Sequence, residues 1–328
     1  MRWILLPFHF IYWIILFMRD LYFKFSTPKK LPGFVISVGN IEAGGTGKTP
    51  LVTGLSSYFI QKKKCVAILS RGYKSNLRHG EFAILKQGQV IAGRIDLRNA
   101  DEGMMLSKSL PECYVVLGAK RFRNSTKLVH DLLITPDIWI LDDGFQHRSI
   151  HRNCNIALVH KLGIAPYDWT FPVGLLRESS KALKRADIIL YRDQPMVGFD
   201  TQFKLEFHSG PFLKTDGSTV LFESLKNVAL VTAIAHPEAF RHTAEDIGLN
   251  VVSLSSKPDH HPFLAGEIDP IFEKVDQIAI TEKDFWRQPD FWNNYKSKVI
   301  RVTQHADLPS KFLEIMEKSY AQYIDIEN

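Results

Sequence analysis

A chain of 328 residues, 45% hydrophobic and 23% charged, can bury a sizeable core and fill about two domains, which excludes a disordered or fibrous polypeptide. Its net charge of +6 suits anionic partners such as nucleotides or lipid headgroups. It is too mild for a nucleic-acid-binding protein, and no basic stripe interleaved with aromatics is present. The three cysteines, Cys65, Cys113 and Cys154, are widely spaced and form no metal pattern. They read as buried, reduced residues of a cytosolic protein.

Residues 3–18 are almost wholly apolar and aromatic, broken by Pro7 and His9 and closed by Arg19 and Asp20. That run falls short of the ~20 residues a bilayer-crossing helix needs. Residues 21–25 extend it as an aromatic, interfacial tail, and Lys29 and Lys30 suit an anionic leaflet. No small-residue cleavage site follows, so the segment is expected to lie in the membrane face rather than to be a signal peptide.

Residues 34–38 are an apolar run that leads into Gly39-Asn40-Ile41-Glu42-Ala43-Gly44-Gly45-Thr46-Gly47-Lys48-Thr49-Pro50, and a helical pattern occupies 51–60. A strand, a glycine-rich loop and a helix with Gly-Lys-Thr at the junction make a phosphate cradle. Its glycines let backbone N–H groups turn onto an anion, and the helix N-terminus adds its positive end. Residues Glu42, Ala43, Gly44, Gly45, Thr46, Gly47, Lys48 and Thr49 are the expected phosphate contacts. Lys48 would reach the β/γ-phosphates and the Thr49 hydroxyl would hold Mg²⁺. Glu42 departs from the strict pattern, which has glycine there. Pro50 falls in the first helical turn, where its missing N–H costs little.

Further along, residues 65–70 form a buried strand running into Arg71-Gly72-Tyr73, and 82–85 with 90–92 read as a hairpin. Asp101 and Glu102 open a short helix, where spacing alone makes Asp101 an N-cap. Residues 115–117 are a strand followed by Lys120-Arg121-Phe122-Arg123, either a phosphate clamp or a solvated loop. Residues 137–141 form an apolar strand ending in Asp142 and Asp143, the pattern of an acid pair that holds Mg²⁺. Strands follow at 156–159 and 188–190, with a helix expected from Leu175 to near Arg185. Residues 33 to about 192 thus read as a doubly wound, mostly parallel sheet of P-loop NTPase type.

Period-two alternation at 203–207, with Gly210, Pro211 and Gly217, reads as extended linker strands. A second α/β pattern then brings strands at 228–231, 251–254, 278–280 and 299–302, and helices at 237–247 and 311–323. The expected division is a membrane-associated helix (1–26), a core domain (27–200), a linker (201–220) and a smaller C-terminal α/β domain (221–328), whose last helix can pack back on the core. His260 and His261 have no third ligand at useful spacing, which counts against metal.

Taken together, Ser37-Val38-Gly39-Asn40, the Gly44–Pro50 segment, Ser70-Arg71-Gly72-Tyr73, Asp101-Glu102, Asp142-Asp143-Gly144-Phe145-Gln146-His147, Leu176-Arg177-Glu178, Asp259-His260-His261 and Thr281-Glu282-Lys283-Asp284 resemble the tetraacyldisaccharide 4′-kinases (lipid A 4′-kinases) of Gram-negative bacteria. The resemblance covers nearly the whole chain. It implies a monomeric enzyme on the cytoplasmic face of the inner membrane. That enzyme would use ATP and Mg²⁺ to phosphorylate the 4′-hydroxyl of an acylated glucosamine disaccharide, with domains hinged on a two-stranded linker. It also implies that Asp101, paired with His260, is the base, reversing the N-cap reading, and that Arg121, Asp142, Asp143, His147 and Glu178 lie in the active site. The family's Asp-Glu-Pro is Asp-Glu-Gly here. The rival reading is a membrane-associated ATPase switch of the partition or septum-positioning type. Ala43 stands where that class carries an extra lysine.

Overall fold

The computed structural model describes every residue except Met1, Lys74, Lys226, Ala235, His260 and Asn328. Two sheets organise it. The larger contains β1 (Phe34–Asn40), β2 (Val66–Ser70), β3 (Ala83–Lys86), β4 (Gln89–Gly93), β5 (Tyr114–Leu117), β6 (Ile138–Asp142), β7 (Cys154–Val159), β8 (Ile188–Tyr191) and β9 (Gln202–Lys204). Their spatial order is β4-β3-β5-β2-β6-β1-β7-β8-β9. From β5 to β9 every pairing is parallel, and β3 and β4 are the antiparallel edge. β1, β2, β6 and β7 are buried along their whole length, as unbroken apolar runs covered on both faces must be.

Helices α1 (Leu6–Phe25), α2 (Lys48–Gln61), α3 (Asp101–Ser109) and α4 (Arg121–His130) accompany this sheet. The chain leaves β1 for β2 on one side, and returns from β6 across β1 to β7 on the other. That reversal opens a crevice at the carboxyl ends of β1 and β6, where an open α/β sheet binds its ligand.

The second sheet contains β10 (Glu206–Lys214), β11 (Thr219–Val220), β12 (Asn227–Thr232), β13 (Asn250–Ser256), β14 (Gln277–Thr281) and β15 (Val299–Asp307), in the order β11-β10-β15-β14-β12-β13. Helices α5 (Pro237–Asp246), α6 (Ala265–Ile268), α7 (Glu282–Arg287), α8 (Pro289–Asn293) and α9 (Ser310–Glu327) complete the chain.

Two expected elements are corrected. The helix expected from Leu175 is absent over 175–179, and only a 3₁₀ turn, Ser180–Arg185, is helical. The backbone here is committed elsewhere: Arg177 N–H donates to Ile41 O (2.7 Å), Ala43 N–H to Leu175 O (2.8 Å), and Leu176 bridges Glu42. The stretch read as linker is core at both ends. β9 is the ninth strand of the large sheet, Leu205 is buried, and Phe203 and Phe207 pack on the same core.

β10 and β15 form one antiparallel ribbon broken by a bulge between Ser209 and Phe212. On one side of the bulge Phe207 and Ala306 belong to the large core. On the other, Phe212 and Val302 belong to the second. The ribbon joins two cores, and its bulge is the local irregularity at which strands bend.

α9 returns to the large sheet, where Phe312 and Met316 pack in one cluster with Phe34 and Cys154. α1 is a 20-residue helix with no buried residue, longer than the apolar run suggested, and it is long and apolar enough to cross a membrane by length and composition. His9 to Thr170 O (3.2 Å), Tyr12 OH to Arg177 O (2.8 Å) and Arg19 to Glu178 (3.1 Å) tie it to the body.

If α9 completes the large core, Phe312→Ala should cost about 3–5 kcal/mol. Denaturant unfolding of the variant against the parent measures it, and a loss below about 1 kcal/mol would show α9 to be an appendage.

Candidate active site

The β1–α2 loop is held open by an asparagine. Asn40, fully buried, donates through Nδ2 to Glu42 O (2.7 Å) and Thr46 Oγ1 (2.9 Å), and accepts from Lys48 Nζ through Oδ1 (3.2 Å). Gln146 Nε2 donates to Asn40 O (2.8 Å) and so ties the loop to the turn after β6. Gly47 starts α2 with φ +92°, and a Cβ there would collide with the Phe207 ring of the ribbon. Gly45 faces open space on its Cβ side. The result is a hollow with α2's N-terminus at its floor, the geometry that binds anions.

Two expected phosphate contacts are placed otherwise. The Glu42 carboxylate turns away from the hollow and accepts His160 N–H (2.9 Å) and Lys161 N–H (3.0 Å) behind β7. The Ala43 N–H is already spent on Leu175 O. The remaining loop residues, Gly44 to Thr49, line the hollow or start α2.

Across the hollow lies the acid pair, since Val38 of β1 is in register with Asp142 of β6. Asp143, at φ +48°, receives both Arg177 Nη1 contacts (2.9 and 2.8 Å), and Lys48 Nζ stands 3.5 Å away. Burial opposes its charge, but Lys48 and Arg177 outweigh burial and hold its carboxyl below the usual range. Asp142 is deeper. Burial, then the charge of Glu102, pushes its pKa up, while Ser70 Oγ donates to Oδ2 (3.0 Å). Two carboxylates and the Thr49 hydroxyl are a hard-oxygen set of the kind that suits Mg²⁺, which keeps waters and substrate oxygens among its ligands. Among the described residues no three His, Cys, Asp or Glu side chains form a ready-made metal cage.

Arg121 does not reach into the hollow with its guanidinium. It is buried and donates to Asp142 O (2.6 Å) and Asp143 O (3.3 Å), so it sets the backbone of the acid turn. Glu178 lies apart from the acid pair, between Arg185 (2.6 Å) and Arg19 of α1 (3.1 Å). His147 bonds Ser149 (3.1 Å), and burial with the charges of Arg121 and Arg152 pushes its pKa down to about 4.

Asp101 begins α3, which packs on α7 of the second sheet. Arg287 Nε stands 3.4 Å from Asp101 Oδ2, and Asp284, fully buried and bonded to Thr232, Ala233 N–H and Thr281, orients Arg287. Lys283 pairs with Glu102 across the same boundary (2.8 Å). Lys283 also feels Asp142 and Asp259, and Glu102 feels Lys48. Residues from both sheets therefore share one charge cluster. His260, the expected partner of Asp101, lies outside the described residues. Asn40, Arg177, Glu102 and Lys283 were visible in the motifs as letters, but their pairings depend on sheet order.

A phosphate hollow at the N-terminus of α2, faced by acids on the adjacent β6, defines a P-loop enzyme of the kinase class. The family model described as LpxK, tetraacyldisaccharide-1-P 4′-kinase, matches residues 1–321. The tetraacyldisaccharide 4′-kinase of Aquifex aeolicus is 34% identical over 314 residues, covering 90% of this chain and 94% of that one, and its Pelobacter propionicus counterpart is 32% identical over 298 residues (86% and 81%). A crystal structure of LpxK from Aquifex aeolicus in complex with ATP superposes with a TM-score of 0.79 at 30% identity, covering 98% of each chain. The chain belongs to the tetraacyldisaccharide 4′-kinase (LpxK) family.

The depressed His147 pKa has a direct readout. In an NMR pH titration the His147 ring should titrate near 4, well below the ordinary ~6.5. Because the unfolded state binds that proton first, stability should fall as pH drops from ~6.5 toward 4. A His147 midpoint at or above 6 would contradict the half-buried, cation-flanked placement.

Proposed function

We propose that this chain transfers the γ-phosphoryl group of ATP to the 4′-hydroxyl of a tetraacylated glucosamine disaccharide 1-phosphate, in lipid A synthesis at the cytoplasmic face of the inner membrane. The observation that carries the reading is the shared charge cluster. It sets the phosphate loop and the acid pair of one sheet against Asp101 and its Arg287 partner at the boundary with the other.

The triphosphate would lie in the hollow, with the loop N–H groups of Gly44 to Gly47 on the β-phosphate and Lys48 on the β/γ oxygens. Thr49 with Asp142 or Asp143 would hold Mg²⁺, which when bound neutralises charge on the transferring phosphoryl oxygens. Lys48 and Arg177, now shared with Asp143, are the cations available to the phosphoryl group. Asp101 accepts the hydroxyl proton as that oxygen bonds to phosphorus and the bond to the β-phosphate oxygen breaks, releasing ADP. His260 would orient the Asp101 carboxylate and share the developing positive charge.

Water competes as acceptor, so productive transfer needs the two cores to close on the substrate. The bulged ribbon is the element across which they can move. The acceptor is insoluble, and α1 presents Phe8, Phe10, Trp13 and Phe17 to its surroundings. We place that aromatic face in the membrane surface, with Lys29 and Lys30 at the headgroups.

The enzyme incubated with ATP labelled in the γ-phosphate and a lipid extract should put label into the organic phase. Label released only as free phosphate would favour a switch ATPase. Asp101→Ala should lower kcat by about 10²–10⁴ while ATP still binds; near-normal turnover would remove Asp101 from the role. Lys48→Ala should lower kcat/KM for ATP, and an unchanged value would contradict the cradle.

A further inference from the structure

The motif Thr281-Glu282-Lys283-Asp284 starts α7, with Thr281 as its cap. Lys283 and Arg287 are four residues apart on this helix, the spacing that puts two side chains on one face. Both reach across to the two acids that open α3. Lys283 Nζ stands 2.8 Å from Glu102, and Arg287 Nε donates to Asp101 Oδ2 at 3.4 Å. Among the described residues the other hydrogen bonds of Arg287 stay on the second sheet's side of the boundary. Its Nη1 donates to Ala233 O (3.1 Å) and to Asp284 Oδ1 (3.2 Å).

The anchor of Arg287 is itself fixed. Asp284 has no exposed surface. Its Oδ2 accepts the hydroxyls of Thr232 (2.6 Å) and Thr281 (2.7 Å), and its Oδ1 accepts the Ala233 N–H (3.0 Å). A buried carboxylate with its donors in place is held rigidly. The guanidinium that it holds is 8% exposed. Neutralising that cation takes Asp284 alone. Asp284 and the Ala233 carbonyl together do more: they fix the Nη1 end of a planar group, and so the direction in which Nε points. It points at Asp101.

We propose that Arg287 is a positioning residue for Asp101, a guanidinium fixed on the second sheet that aims a carboxylate belonging to the first. The proposal rests on the reading of Asp101 as the base. A carboxylate at the start of a helix can take several rotamers unless something holds one of its oxygens. Holding Oδ2 sets the way the other oxygen faces, and a general base must stand within hydrogen-bond reach of the proton it takes. Because the two partners belong to different sheets, the base is aimed only while α3 and α7 are in contact. The Glu102–Lys283 pair supports that contact separately, so losing Arg287 disturbs the aim of Asp101 before it parts the sheets.

The test uses the full chain in detergent micelles, with ATP and the tetraacylated disaccharide 1-phosphate as acceptor. The kcat and the KM for ATP are measured for Arg287→Met, Asp101→Ala and the double variant. Arg287→Met should lower kcat about 10²-fold, the cost of a misplaced reacting group. Its KM for ATP should stay as in the parent, because the contacts of Arg287 lie outside the phosphate loop and the acid pair. On the Asp101→Ala background the same substitution should cost nothing further. Arg287→Lys keeps the charge but has one nitrogen where the guanidinium uses two, and should retain more turnover than Arg287→Met. Undiminished kcat in Arg287→Met overturns the proposal. So does an equal loss with and without Asp101, which would make Arg287 merely structural. If Arg287→Met does not fold, Arg287→Lys is compared on the two backgrounds by the same criterion. Near-normal turnover of Asp101→Ala would remove the base and the proposal together. A disabled Asp101→Ala beside a normal Arg287→Met removes the proposal alone.

Discussion

A lysine at the first turn of α2, held between the amide oxygen of Asn40 and the carboxylate of Asp143, is the contact on which the site depends. It binds the glycine loop after β1 to the acid turn after β6, two strands that are neighbours only because the chain crosses over β1. Arg177 closes the arrangement from the third side by gripping the same carboxylate. Without that triangle the loop would be a glycine-rich turn with no fixed partner.

The second constraint is the ribbon of β10 and β15. It is the covalent and hydrogen-bonded bridge between two cores, and its bulge divides residues that pack on one from residues that pack on the other. The Phe207 ring against Gly47 places one end of this bridge directly on the phosphate loop. The ribbon and the phosphate loop are thus in direct contact. At the other edge of the site, α1 is tied through Tyr12 and Arg19 to residues 177 and 178, beside the arginine that grips Asp143.

Much of this was legible in the residues. The uninterrupted apolar runs at 34–38 and 137–141 identify parallel interior strands, and Gly-Lys-Thr after one and Asp-Asp after the other identify the ligand end. What could not be read is where local pattern and tertiary pairing disagree. Leu175 to Arg185 has helical composition, but its backbone is drawn into bridges with Ile41, Glu42 and Ala43, contacts more than 130 positions distant in sequence. Glu42 looked like a loop residue facing phosphate, yet two N–H groups beyond β7 claim its carboxylate. The 203–207 alternation signals a strand but not which sheet it joins, and Leu205 turned inward decides that.

The charges around the acid turn are matched to one another before any ligand enters. Around the loop and the acid turn, Lys48, Arg177, Lys283 and Arg287 are paired with Asp143, Glu102, Asp101 and Asp284, while Arg121 holds the backbone of the acid turn. Each cation already has a partner: Arg121 the acid-turn carbonyls, Lys48 and Arg177 Asp143, and Lys283 Glu102. A triphosphate entering the site would therefore compete with carboxylates for cations already in place. A triphosphate would draw Lys48 and Arg177 from Asp143 toward its own oxygens. The pairings around Asp143 are then exchangeable ones, set to pass from carboxylate to phosphate as the site fills.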